Sequence, residues 1–222
     1  LKKINGKPIL LILLERAMLS KKIDKVVVAT TKNKIDKEIV KFCENYRFNY
    51  FCGSEYDVLN RYYNCAKHYN AKVIIRVTSD CPLIDPIVID KTVRLFEKND
   101  VEYVANTIPP ESRRWPDGSD VEVFSYQGLC EANKNAKGLE REHVTFYFWK
   151  RKGLYRTLQL NNKYNWADYR YTLDYKEDFS NLNKIISIIN KKKIFGYTEE
   201  VIEIIKNNFK NNKLKKKLSF GY

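Results

Sequence analysis

The 222-residue sequence predicts an α/β fold with a mainly parallel sheet, on three observations. Short β-branched runs alternate with amphipathic helical stretches through the first half, the pattern of right-handed βαβ units. The segment 73–90, VIIRVTSDCPLIDPIVID, places the carboxylate of Asp80 just past the carboxyl end of a strand, the edge where open α/β sheets hold ligands, and the local pattern suits a turn-capping Asp80 equally well. Hydrophobic residues make up 44% of the chain, enough for one sizeable core, yet no apolar run reaches the roughly 18 to 20 residues that a membrane helix needs.

The elements follow in order. The apolar run 9–14, closed by Glu15 and Arg16, reads as the start of a buried helix. Residues 25–30 form a first strand and 33–46 a charged helix. A second strand covers 48–52 and stops at Gly53; the helix 55–69 after it carries Val58, Tyr62, Cys65 and Tyr69 on one stripe. Residues 73–78 are the third strand. Asp85-Pro86 then begins the helix 87–97 in the cap-then-proline manner, and 101–106 is a fourth strand. Residues 108–117 read as a loop, with Arg113, Arg114 and Trp115 able to close over a ligand. Strands are expected at 120–125, 155–160 and 169–173, and helices at 139–149, 177–190 and 198–209. No internal repeat or clean linker divides the chain, so 1–222 reads as a single domain, with a lid-like region at about 106–150 and a basic tail at 207–222.

Composition removes several function classes. Cys43, Cys52, Cys65, Cys81 and Cys130 are irregularly spaced with no C-x-x-C pair, the usage expected of reduced thiols in a cytoplasm. His68 and His143 are the two histidines, too few for a histidine-built metal site. The formal charge is +14, but half of it lies between residues 184 and 217, where ten lysines meet three acids and no arginine occurs. Such a lysine run is a solvated face rather than a nucleic-acid reader, and no nucleic-acid partner is expected. A basic surface does favour a triphosphate.

Five ordered motifs carry a family resemblance. They are Gly53 to Tyr63 (GSEYDVLNRYY), Arg76 to Pro86 (RVTSDCPLIDP), Pro116 to Phe124 (PDGSDVEVF), Glu140 to Thr145 (EREHVT), and Arg170 to Asp174 with Glu177 and Asp178. Together they resemble the cytidylyltransferase family, nearest to its spore-coat polysaccharide members, and span almost the whole chain. The resemblance implies a three-layer Rossmann-like nucleotide-diphospho-sugar transferase fold with a mainly parallel central sheet and a lid-like insertion. It implies an enzyme that transfers CMP from CTP to a sugar acid or related sugar, releasing pyrophosphate for surface polysaccharide. A catalytically inactive nucleotide- or partner-binding relative, or an enzyme using another nucleotide, is the alternative.

The expected roles follow from that resemblance. Asp80 and Asp174 would be the catalytic, metal-binding carboxylates for Mg²⁺, which prefers one or two carboxylates with water and phosphate; Asp174 alone could equally cap the helix after it. Gly53, Ser54, Arg61 and Arg76 would meet the nucleotide. Local readings stand beside this: Arg61 could pair with Asp57, and Arg76, odd inside a strand, should find an acid or a phosphate. Asn106, Asp117, Gly118, Glu122, Arg141, Glu142 and His143 would line the sugar side, with an arginine fork suited to a sugar carboxylate. The expected partners are CTP and a small sugar, with no membrane; a homodimer is compatible with this reading. The family's nucleotide loop and first strand would lie upstream of Leu1, so a truncated enzyme of low activity is expected.

Overall fold

The computed structural model describes residues 1–151 and 153–209. A short hairpin of β1 (Lys3–Ile4) and β2 (Lys7–Pro8) leads into α1 (Ile9–Ala17). Then come β3 (Val27–Thr31), α2 (Lys37–Tyr46), β4 (Asn49–Gly53), α3 (Val58–His68), β5 (Val73–Arg76), α4 (Pro86–Glu97) and β6 (Tyr103–Ala105). The second half runs β7 (Glu122–Ser125), α5 (Tyr126–Asn135), α6 (Leu139–Glu142), α7 (Phe146–Trp149), β8 (Thr157–Gln159), α8 (Lys176–Lys192) and α9 (Thr198–Asn208).

The larger sheet has the order β5-β7-β6-β8. β7 runs antiparallel to both β5 and β6, and β6 is parallel to β8, so β5, β6 and β8 share one direction and β7 opposes them. β3 and β4 form a separate parallel pair. Period-two alternation sends side chains to both faces. On β5 and β7, Ile75 and Val123 join one apolar cluster with Leu14, Ile89, Ile185 and Ile205, contributed by α1, α4, α8 and α9. Ile74 and Phe124 join a second cluster with Leu59, Leu129, Tyr147 and Phe148, from α3, α5 and α7. Helices thus cover both faces of the sheet, in three layers.

Several expectations are corrected. Residues 126–135, which the sequence left unassigned, form α5, started by the Ser125 hydroxyl accepting from the Gly128 amide at 3.0 Å. The helix expected at 139–149 is two short ones, broken where Val144 takes a positive φ of 46°. No strand forms at 169–173; that segment makes a single bridge, Arg170 to Asp117. The lid-like region 106–150 supplies β7 to the middle of the larger sheet and α5 to α7 to the second cluster, so it belongs to the body of the fold. Arg113 and Trp115, expected in a closing loop, are 4% exposed, and the Trp115 indole donates to the Leu160 carbonyl at 2.9 Å. Of the basic tail, 210–222 lies outside the described residues.

Candidate active site

Three segments converge beyond the end of β5. The first is the turn 78–84, where Asp80 sits. It is tied down by Cys81 N–H donating to the Thr78 carbonyl and by Asp85, whose carboxylate accepts from Ile87 N at 2.8 Å and from Thr198 N at 2.9 Å. One buried side chain therefore caps α4 and α9 together, and the apolar Leu83-Ile84 between Asp80 and Asp85 anchors the turn in the core. The second segment is 116–121. Asn106, fully buried, donates to the Ser119 carbonyl at 2.7 Å and accepts from Val121 N at 2.8 Å, clamping this loop. Gly118, with φ 106°, lies where a Cβ would come within 2.7 Å of the Tyr171 ring, so only glycine lets the loop press on the third segment. That third segment, 169–174, is docked by Leu173 N–H donating to the Asp80 carbonyl at 2.8 Å.

The result is a carboxylate cluster with two arginines. The Leu173–Asp80 bond sets the backbone just before Asp174 against the turn that carries Asp80. Asp120 accepts from Thr107 Oγ1 at 2.6 Å and from Gly118 N at 2.7 Å, and the Cys81 thiol lies 3.7 Å from both Asp80 and Asp120. Burial first, and Asp120 next, push the Asp117 carboxyl up to about 7, with Arg113 and Arg170 pulling against them. Burial likewise raises Asp120. Burial, then Asp80 and Asp120, push the Cys81 thiol well above its usual range, so the sulfur stays a neutral donor rather than a soft metal ligand. The donors that remain are hard carboxylate oxygens, which fit magnesium. Among the described residues no group of three or more His, Cys, Asp or Glu is arranged to hold an ion, but magnesium needs only one or two carboxylates.

Gly53, buried, and Ser54, half-buried, lie at the end of β4. They line a 670 Å³ cleft with Lys32, Asn60, Asn64 and Lys67. Arg61 packs on Gly53, where a Cβ would meet its Cγ at 2.6 Å, and donates to the Ser54 carbonyl at 2.6 Å. Among the described residues its guanidinium bonds this loop and not Asp57.

Other expected site residues are engaged in structure. Arg76 pairs with Glu122, its cross-strand neighbour, and Glu122 also accepts from the Tyr103 hydroxyl at 2.8 Å. The two charges satisfy one another inside the sheet, so Arg76 has found the acid its place in a strand called for. Asn106 is the loop clamp described above. Arg141 donates to Asp57 at 2.8 Å and to the Asn133 carbonyl at 2.9 Å, joining α3 to α5 and α6, so its fork is occupied. Glu142 is exposed on α6, and His143 stacks on Phe146 with ring centroids 4.3 Å apart. Asp120 and Arg170 were given no role from the sequence, and Arg113 was read as part of a closing loop. A signal existed in the Asp117-x-x-Asp120 spacing across a glycine and in the i, i+4 spacing of Arg170 and Asp174.

The comparisons with known proteins agree with this architecture. A family model described as cytidylyltransferase matches residues 1–209. An uncharacterized protein of Methanocaldococcus jannaschii is 39% identical over 194 residues, 85% of this chain and 77% of that protein. The spore coat polysaccharide biosynthesis protein SpsF of Bacillus subtilis is 29% identical over 178 residues, covering 77% and 70%. The solved structure of a cytidylyltransferase from Leptospira borgpetersenii superposes with a TM-score of 0.85 at 31% identity, over 93% of this chain and 86% of that one. With the model spanning nearly all of it, the chain belongs to the cytidylyltransferase family.

Proposed function

We propose that this protein transfers CMP from CTP to a hydroxyl of a sugar acid or related sugar, releasing pyrophosphate. The observation that supports the reading is the Leu173–Asp80 backbone bond, which docks the segment carrying Asp174 on the turn carrying Asp80, beyond a strand end. Asp80 and Asp174 would hold Mg²⁺, which when bound neutralises phosphate charge and orients the triphosphate. The remaining work falls to the chain. Arg61 fixes the Ser54 loop, so that the hydroxyl and backbone N–H groups there meet the base and ribose without reorganising. The sugar oxygen attacks the α-phosphorus, the bond to the pyrophosphate oxygen breaks, and the sugar hydroxyl's proton passes to a carboxylate. Asp117, raised to about 7, accepts a proton near neutral pH with the least mismatch. Gly118 and the Asn106 clamp hold that carboxylate against the 170–174 segment. SpsF's name places it in polysaccharide biosynthesis, and its likeness supports a sugar acceptor for a surface polymer.

The test is pyrophosphate release with each of the four nucleotides and a panel of sugar acids. CTP with one acceptor should turn over, and turnover with UTP or dTTP in preference would reassign the base. A second reading, nucleotide binding without catalysis, draws on the ion pair between Arg170 and Asp174. It is favoured instead if CTP binds by calorimetry and no acceptor releases pyrophosphate.

A further inference from the structure

Arg170 occupies an unusual place in this cluster. Its guanidinium is 5% exposed and meets three carboxylates. Nη1 and Nη2 grip the two oxygens of Asp178 at 2.7 and 3.0 Å. Nη2 also bonds Asp174 Oδ2, and Nε lies 3.5 Å from Asp117 Oδ2. The grip is rigid from both ends. The backbone around Arg170 is bonded to Asp117 in both directions, by Asp117 N to the Tyr169 carbonyl at 3.0 Å and by Tyr171 N to the Asp117 carbonyl at 2.9 Å. Asp178 in turn accepts from the amides of Asp174 and Tyr175 at 2.9 and 2.8 Å, which starts α8.

Asp174 is held differently from Asp178. Both its side-chain bonds, from Arg170 Nη2 and from Thr172 Oγ1 at 3.1 Å, fall on Oδ2. Oδ1 carries no hydrogen bond among the described residues, and the side chain is 46% exposed. A half-exposed aspartate without such a hold would exchange rotamers freely. Held by one oxygen, it presents the other in one orientation. The fork also places positive charge among carboxylates that would otherwise repel one another.

We propose that Arg170 is a positioning residue, which holds Asp174 by Oδ2 so that Oδ1 is kept for a divalent cation. This rests on the metal-site reading above. A lysine supplies the charge but cannot supply a planar fork that serves Asp178 and Asp174 at once. Outer partners of this kind are worth roughly 10- to 100-fold in metal affinity.

The experiment is Mn²⁺ binding by electron paramagnetic resonance, with folding checked by thermal melt. The variants are Arg170→Lys, Thr172→Val and Asp174→Asn, and Ser125→Ala, which removes the cap of α5 at the other end of β7, is the control that lowers stability away from the cluster. Arg170→Lys should weaken Mn²⁺ by about tenfold or more. Thr172→Val, which removes the other bond to Oδ2, should weaken it less, and Ser125→Ala should leave it at the wild-type value. If Arg170→Lys fails to fold, Thr172→Val carries the test alone. Unchanged Mn²⁺ affinity in a folded Arg170→Lys or Thr172→Val, while Asp174→Asn loses it, would overturn the positioning role and leave the metal site standing. Unchanged affinity in Asp174→Asn would overturn the metal site and this proposal with it.

Discussion

Arg76 and Glu122 face each other directly across β5 and β7, and Glu122 is 5% exposed. A pair this enclosed contributes little net stability, because desolvation offsets its Coulomb energy, but losing one partner strands the other. Arg76→Met should therefore cost about 3 kcal/mol in urea unfolding, and adding Glu122→Leu should recover most of it. A loss below about 0.5 kcal/mol for the single variant would show that water reaches Glu122. Asp80 has the opposite character, its carboxylate half-buried and, among the described residues, hydrogen-bonded by the long Cys81 contact alone. Asp80→Asn should leave the melting temperature near wild type and cut pyrophosphate release by orders of magnitude. Near-normal release would remove Asp80 from the chemistry. Asp117 adds a pH signature. Its carboxyl stands near 7 in the fold against 3.8 unfolded, so between those values the folded state binds more protons and stability falls as pH rises. Asp117→Asn removes this penalty. Without metal, the variant's melting temperature relative to wild type should climb from pH 5 to pH 8, and a flat difference would contradict the raised carboxyl. The position of Asp80 past the end of β5 was legible from sequence because a strand end and a proline turn are local signals. The Arg76–Glu122 pairing was not, because it depends on which strand becomes the neighbour of β5, 46 residues along the chain.

At the scale of elements, Asp85 does more than local pattern implied. The sequence marks it as the cap of α4; its second oxygen also accepts from Thr198 N and Oγ1, starting α9. Each lost cap costs about 1 kcal/mol, so Asp85→Ala should lower stability by about 2 kcal/mol. Amide exchange should speed up at the starts of both α4 and α9 while α2 is unaffected; acceleration at α4 alone would show that the α9 cap is dispensable. The same contrast explains which elements sequence could place. Strands from β3 to β6 and helices α2, α3, α4, α8 and α9 have clear periodicity or caps, and were found to within a few residues. α5 was missed because Tyr126–Asn135 offers a glycine, two asparagines and few apolar positions, and only burial of Leu129 and Ala132 against Phe124 and Phe148 makes it a helix. The run 169–173 reads as a strand by composition, yet its backbone is spent on Asp117 and Asp80 instead of a ladder.

The whole molecule is built around two sheet pieces, and the proposed ligand spans them. β7 is bonded on both edges and covered on both faces, with Val121, Val123 and Phe124 fully buried. The parallel pair β3–β4 has no ladder to the larger sheet, and Val27, Val28, Tyr50 and Phe51 remain partly exposed. Amide exchange should rank accordingly, with β7 and β6 slowest and β3–β4 opening at lower free energy. The Gly53-Ser54 loop belongs to the β3–β4 piece, and Asp80 to the turn after β5. A nucleotide whose base meets the first and whose phosphates meet the second ties the two pieces together. Binding stabilises the joined state by about 2.7 kcal/mol at a hundredfold excess over Kd, and the gain falls on whichever element opens first. CTP with Mg²⁺ should therefore slow exchange in β3–β4 more than in β7, UTP at equal concentration should do so less, and Asp80→Asn should abolish the difference. Protection confined to the 78–84 turn, with β3–β4 unchanged, would mean that the base does not reach Ser54 and that the nucleotide lies wholly on the larger sheet.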